Sequence, residues 1–319
     1  MELGITTFVE AGFNPLTGQF VSHGERLRRV VEEIKLADSV GIDVFGIGEH
    51  HRDDYAASSP EVILAAAATQ TERIKLTSAV TVLSSADPVR VFEQFATLDG
   101  LSNGRAEIMA GRGSFIESFP LFGYDLADYN ELFEEKLDLL INLQKNKIVS
   151  HEGKFRPSFE QLGIYPRPDQ EQLPIWIASG GTPTSAIRAG QLGLPMTLAI
   201  LGGNPLSFGR VIGLYRQAAQ QAGHDMAKMK VAINSHGFIA KSNEEAIEKF
   251  FPPTQAVMNK IGRERGWPPY TKESFMHANS IDGAIYAGDP ETIAKKIILL
   301  KEHLGIDRFY LQTPVGAMD

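Results

Sequence analysis

Ile175-Trp176-Ile177-Ala178-Ser179-Gly180-Gly181-Thr182-Pro183-Thr184-Ser185 contains a strand end, a turn and a helix start in one stretch. The apolar run suits a strand buried on both faces, the glycine pair suits a tight turn, and Thr182-Pro183 suits a helix start. A threonine at the N-cap can accept an orphan amide, and a proline in the first turn has no amide to leave unsatisfied. The same punctuation recurs at Ser59-Pro60, Asp87-Pro88, Asn204-Pro205 and Asp289-Pro290. Ser22 with Glu25, and Ser58 with Glu61, add capping-box spacing.

Working outward, the β-rich runs are Leu3 to Thr7, Ile42 to Gly48, Ile74 to Leu83, Ala106 to Ala110, Ile175 to Ala178, Met196 to Ile200, Val231 to Ile239 and Arg308 to Gln312. Helical periods separate them, such as Leu27, Val30, Val31, Ile34 and Ala37, or Tyr129, Leu132, Phe133, Leu137 and Leu140. Strict β-then-α alternation predicts a parallel sheet covered by helices. Eight strands in 319 residues favour an α/β fold of the (β/α)8 TIM barrel type, with an open doubly wound sheet as the alternative. A single barrel domain over 1–319 is expected, with insertions at about 147–173 and 252–288, the second, with Pro252 and Pro253, read either as a lid near the catalytic face or as a packed surface excursion.

With 43% hydrophobic and 22% charged residues the chain can bury a large core, which excludes disordered and fibrous classes. A net charge of −8 argues against a nucleic-acid partner. The absence of cysteine excludes thiolate metal sites and suits a reducing, cytoplasmic setting. The opening MELGITTFVEAGF lacks a signal-peptide pattern, and no apolar run approaches membrane-spanning length, so no membrane partner is expected.

Glu49, His50 and His51 close the second strand, at the strand end where barrel enzymes place their chemistry. Neighbouring strand residues face opposite ways, so a metal shared by the two histidines is not expected, and either imidazole can equally be a hydrogen-bonded rim residue. An ordinary histidine pKa near 6.5 would leave both protonation states available near neutrality. Gly180 to Ser185 reads as an anion cradle or as a plain strand-to-helix turn; as a cradle it offers the amides of Gly180, Gly181 and Thr182 and the hydroxyls of Thr182, Thr184 and Ser185. Gly111-Arg112-Gly113 presents a guanidinium that suits phosphate, or a surface turn. Small residues over Ser78 to Ser85 would let a flat ring lie against backbone, or pack as an ordinary barrel layer.

Taken together, Gly41 to His51, Thr81-Val82-Leu83 with Asp87-Pro88-Val89-Arg90, Leu98-Asp99-Gly100-Leu101-Ser102-Asn103-Gly104-Arg105, Gly111-Arg112-Gly113, Ser179 to Thr182, Gly193-Leu194-Pro195 and Gly305 to Leu311 resemble the bacterial-luciferase-like flavin monooxygenases. That resemblance implies reduced FMN as co-substrate, delivered by a separate flavin reductase and used with oxygen on a small organic substrate. It assigns catalysis to His50, a non-proline cis peptide under the flavin ring to Ala79 and Val80, and the phosphate to Arg112, Gly180, Gly181, Thr182 and Ser185. Glu49 and His51 fall to the substrate side or the support around it. The alternatives are a deazaflavin-dependent reductase or dehydrogenase of the same superfamily and a noncatalytic flavin-binding subunit. Such relatives continue past the eighth strand into a closing helix; without one, either another segment covers that wall, or flanks around Phe309 and Leu311 face water and favour a homodimer.

Overall fold

The structure, a computed structural model, describes residues 1–113 and 115–318. Among them, strands and long helices alternate: β1 (Glu2–Thr7), α1 (His23–Ser39), β2 (Val44–Ile47), α2 (Pro60–Ala68), β3 (Lys75–Ser78), α3 (Pro88–Ser102), β4 (Ala106–Gly111), α4 (Tyr129–Lys145) and β5 (Ile175–Ser179). The series continues with α5 (Pro183–Leu192), β6 (Met196–Ala199), α6 (Gly209–Gln221), β7 (Val231–Ile239), α7 (Asn243–Arg265), α8 (Pro290–Leu304) and β8 (Arg308–Gln312). Every strand read from the sequence is present. The third run is interrupted: β3 stops at Ser78 and a short strand resumes at Thr81–Val82.

The chain divides into a central unit, Leu27–Ala178, and a terminal unit made of Met1–Arg26 with the residues from Ser179 onward. In the central unit β2, β3, β4 and β5 pair in that order, all parallel. Every residue of β2 and β4 is buried, which accounts for their apolar character, and the one charged residue in them, Glu107, pairs with Lys75 at 3.7 Å. In the terminal unit β6 pairs with β7, β7 with β8, and β8 with β1, again all parallel. Consecutive parallel strands whose last member pairs with the first, each led into by a helix, define the (β/α)8 barrel class. Among the described residues no helix is long and apolar enough to cross a membrane.

Of the proline helix starts, Asp87, Asn204 and Asp289 cap with their side chains, accepting from Val89 and Arg90, from Leu206, and from Thr292 respectively. Ser59 and Thr182 do not. Ser22 accepts from the Glu25 amide at 3.3 Å, whereas Glu61 turns away to Gln94 Nε2, so the Ser58–Glu61 box does not form. The 147–173 insertion is an antiparallel hairpin of Ile148–His151 and Phe159–Gly163. In the second, Pro252 and Pro253 lie inside the 23-residue α7. A proline inside a helix costs about 3 kcal/mol. Here Phe250 and Pro253 are buried, and Phe250 joins Phe275, Ile285, Ala287 and Val315 in one apolar cluster that holds the helix through both prolines.

At the eighth strand, cover by other segments is the alternative observed. Phe309 is 1% exposed, with the Tyr286 ring at 4.8 Å, and Leu311 is half-buried. Strand Tyr286–Gly288 pairs with β7, and Val315 and Met318 pack into the α7 cluster, so the insertion and the segment after β8 cover the apolar flanks.

Candidate active site

β2 ends at Ile47, and the chain turns sharply after Gly48, with the His50 amide donating to the Ala57 carbonyl at 2.9 Å. His50 is buried. Its ring stacks on Tyr55, with centroids 4.5 Å apart, and meets the edge of Phe115 at 5.0 Å. Burial in this apolar surround lowers the imidazole pKa to about 3, against a smaller opposing pull from Asp54. His50 is therefore neutral throughout the physiological range, which replaces the sequence expectation of a residue poised near 6.5. A neutral imidazole still offers one donor and one acceptor.

His51 points elsewhere, its Nε2 donating to Glu49 Oε1 at 2.9 Å and its ring edge-on to Phe122 at 5.1 Å. The other carboxylate oxygen of Glu49 accepts from the Val82 amide at 2.8 Å, and its own amide donates to the Val80 carbonyl at 3.3 Å. Ala79 donates to the Ile47 carbonyl at 2.7 Å. Glu49 thus fastens the 79–82 segment, whose Ala79–Val80 peptide is cis, to the end of β2. Among the described residues no group of three His, Cys, Asp or Glu is placed to hold a metal ion.

Glycine at 111 is required by packing, since a Cβ there would lie 2.8 Å from Val80 Cγ2. Gly113 has φ +77 and faces Val82 in the same way. Between them, Arg112 donates to Asn130 Oδ1 at 2.7 Å and lies over the rings of Tyr129 and Phe133. Its guanidinium is therefore already oriented by the first turn of α4.

In the terminal unit, Gly181 adopts φ +93 with its absent Cβ filled by Phe208, whose Cε1 would be 2.5 Å away. Its amide donates to Ser179 Oγ at 3.1 Å, so one of the donors counted from the sequence is already engaged. Thr182 spends its hydroxyl on Ser185 Oγ at 2.8 Å instead of capping α5, and the first turn of α5 carries no acidic residue. Unlike α3 and α8, this helix presents its first amides with no side-chain acceptor from its N-cap. Gly180 has open space where a Cβ would stand.

Sequence reasoning missed the walls around His50. Arg52 donates from Nη1 to Glu117 Oε1 at 2.8 Å and from Nε to Asp54 at 3.3 Å, and its guanidinium lies 5.1 Å from the Phe115 ring centroid. It clamps the segment after β4 against the turn after β2. Tyr55 could have been suspected from its closeness to His50 in the chain; the Phe115 and Glu117 contacts span over sixty residues and leave no local trace.

Residues 1–308 match the family model described as luciferase-like monooxygenase. The chain belongs to that family. Among its curated relatives is the N-acetyl-S-alkylcysteine monooxygenase of Bacillus subtilis, 29% identical over 187 residues, 58% of this chain and 54% of that protein. The match thus spans about half of that relative's length. A monooxygenase from Streptomyces bottropensis superposes with a TM-score of 0.84 at 23% identity, over 100% of this chain and 94% of the other. The oxygenating constituent of 3,6-diketocamphane monooxygenase from Pseudomonas putida, described in complex with FMN, superposes at 0.76 with 23% identity, over 98% and 91%. An F420-dependent secondary alcohol dehydrogenase superposes at 0.74 with 21% identity, over 98% and 94%. At such identities these structures show the family's (β/α)8 barrel fold.

Proposed function

We propose that this family member is an FMN-dependent monooxygenase that uses reduced FMN and oxygen to place one oxygen atom on a small organic substrate, the other leaving as water. The observation that carries the reading is His50: a buried, neutral imidazole held by Tyr55 and Phe115 just beyond β2, in a chain of the luciferase-like family. FMN bound by a protein of the same fold supports the choice of cofactor. When bound, reduced FMN supplies the electrons that activate oxygen. The residues around it would bind, orient and exclude water. In the central unit, Ala79 and Val80 would support the flat ring and His50 would hold or pass a proton at the reacting oxygen. Arg112 is assigned to phosphate. In the terminal unit, Gly180, Gly181, Thr182 and Ser185 are assigned to phosphate as well, supported by the uncapped start of α5.

The test is FMN binding to the purified chain, followed by oxygenation with reduced FMN from a generic flavin reductase. Wild type is expected to bind FMN and consume oxygen. His50→Ala should keep FMN affinity within a few-fold while substrate oxygenation falls at least about a hundredfold and hydrogen peroxide is released. A copurifying deazaflavin with no FMN binding would instead make the chain a deazaflavin-dependent oxidoreductase. FMN binding without turnover in wild type would make it a flavin-binding subunit.

A separate flavin reductase, cytoplasmic residence and a homodimer complete the proposal. The absence of cysteine supports a reducing compartment. Support for the homodimer now comes from exposed Ile116, Leu121 and Phe122 around the short helix Ser118–Leu121. Sedimentation equilibrium at micromolar protein checks it, and a monomer would refute it.

A further inference from the structure

One face of the terminal unit's sheet is polar where barrel layers are ordinarily filled by branched apolar side chains. Strand register arranges it in rows. Glu2, Arg308 and Ala232 share the first, Gly4, Tyr310 and Asn234 the second, and Thr6, Gln312 and His236 the third. The first two rows are closed by bonds within them and by one from Thr6 of the third. Arg308 Nε donates to Glu2 at 2.6 Å and its Nη1 to the Tyr310 hydroxyl at 2.7 Å, while Thr6 Oγ1 donates to Asn234 Oδ1 at 2.7 Å.

The third row, toward the carboxyl ends of β1 and β8, is not closed. Gln312 accepts from Asn234 Nδ2 at 2.9 Å through its carbonyl oxygen, and its amide nitrogen has no hydrogen-bond partner among the described residues. Neither ring nitrogen of His236, which stands opposite Gln312 in register, has one either. Gln312 is buried and His236 half-buried, yet their partnerless nitrogens are not sealed from solvent, so they face space that water or a small molecule can enter. Burial lowers the His236 pKa to about 4, so the imidazole is uncharged at neutral pH.

We propose that Gln312 Nε2 and His236 together bind a neutral oxygen function, a ketone, aldehyde or alcohol, of the organic substrate. The amide donates one N–H to that oxygen. The neutral imidazole donates a second N–H to a carbonyl, or accepts the proton of a hydroxyl. An anionic group is disfavoured, because the nearest cation in these rows, Arg308, is committed to Glu2 two rows away. The proposal rests on the oxygenase reading only for the existence of an organic substrate.

The test uses the full chain labelled with 15N-histidine, without flavin, titrated with cyclohexanone, cyclohexanol, cyclohexanecarboxylate and cyclohexane. The His236 ring signals, identified by their loss in His236→Asn, should move with the ketone or the alcohol and stay still with the carboxylate and the hydrocarbon. Gln312→Leu should weaken that binding by roughly threefold to tenfold, with FMN affinity within threefold of wild type. Failure of both ketone and alcohol to move the signals would overturn the proposal, as would a carboxylate that binds as well as they do. A tenfold loss of FMN affinity with the probe binding unchanged would assign the pair to the cofactor and overturn it too. The readout needs no turnover, so a chain that binds the ketone yet oxygenates nothing would sink the monooxygenase reading alone.

Discussion

His50 sits between Tyr55 and Phe115 with its pKa lowered to about 3, and that position changes what it can contribute. An imidazole that stays neutral from pH 5 to pH 8 acts by hydrogen bonding and by a proton held locally, not as a bulk-equilibrated acid. The pH profile of kcat/KM is accordingly expected to show no limb near 6.5 that belongs to this residue; a limb there that disappears in His50→Asn would contradict it. Glu49 works at one remove, because its carboxylate ties the Val82 amide to His51. Glu49→Ala strands that amide and should lower stability by about 1 to 3 kcal/mol in urea unfolding, whereas Glu49→Gln keeps an acceptor for it and should lose less than half as much. Equal losses would mean that the carboxylate is not what fastens residues 79–82.

At the scale of elements, the stretch Leu98 to Arg105 carries family resemblance and turns out to be structural. Asn103, with φ 55, ends α3, and Arg105 then uses every guanidinium N–H on backbone or hydroxyl oxygens: Ser102 and Ala68 carbonyls, the Ile74 carbonyl, and both the carbonyl and hydroxyl of Thr71. Arg105→Lys keeps the charge and loses the fork, so it is expected to destabilise by about 2 to 4 kcal/mol in denaturant unfolding while leaving FMN affinity unchanged. A loss under about 0.5 kcal/mol, no more than a surface change gives, would show the fork to be dispensable. Strands and most helix starts were legible because each is written in a run of adjacent residues, as at Asp87-Pro88 or Val231 to Ile239. The continuation of α7 through Pro252 and Pro253 was not, since it depends on Phe275 and Val315 packing from far along the chain. His236 was passed over for a similar reason: inside an apolar strand it looks like filler, and only the register with Gln312 shows that both lack partners.

For the whole molecule, the buried histidines set the response to acid. His50 and His236 have folded pKa values of about 3 and about 4, below the ordinary 6.5 of the unfolded chain. Between 6.5 and those values the unfolded chain takes up protons that the folded chain refuses, so stability is complete above 6.5 and falls as the pH is lowered. Each histidine contributes up to about 1.4 kcal/mol per pH unit to that fall. Burial raises the Asp38 carboxyl and three backbone amides lower it, and the amides prevail, so its contribution is present above the ordinary carboxylate pKa and is lost as the pH falls from there through the lower folded value. Urea unfolding at pH 7.5 and pH 5 should show a smaller drop for His236→Leu than for wild type. Identical drops would mean that His236 titrates normally in the folded chain.

The pairing of β1 with β8 bears on how the protein is made. Glu2 and Arg308 share an ion pair across 306 residues of sequence. At about 5 to 20 residues per second, roughly 15 to 60 seconds of synthesis separate them on the ribosome. Throughout that interval the first strand has emerged and its β8 neighbour does not yet exist, while Leu27–Ala178 carries its own parallel sheet and can settle as soon as it is out. The nascent amino-terminal segment therefore waits with an open strand edge, guarded only by the charge of Glu2 and the polarity of Thr6 and Thr7.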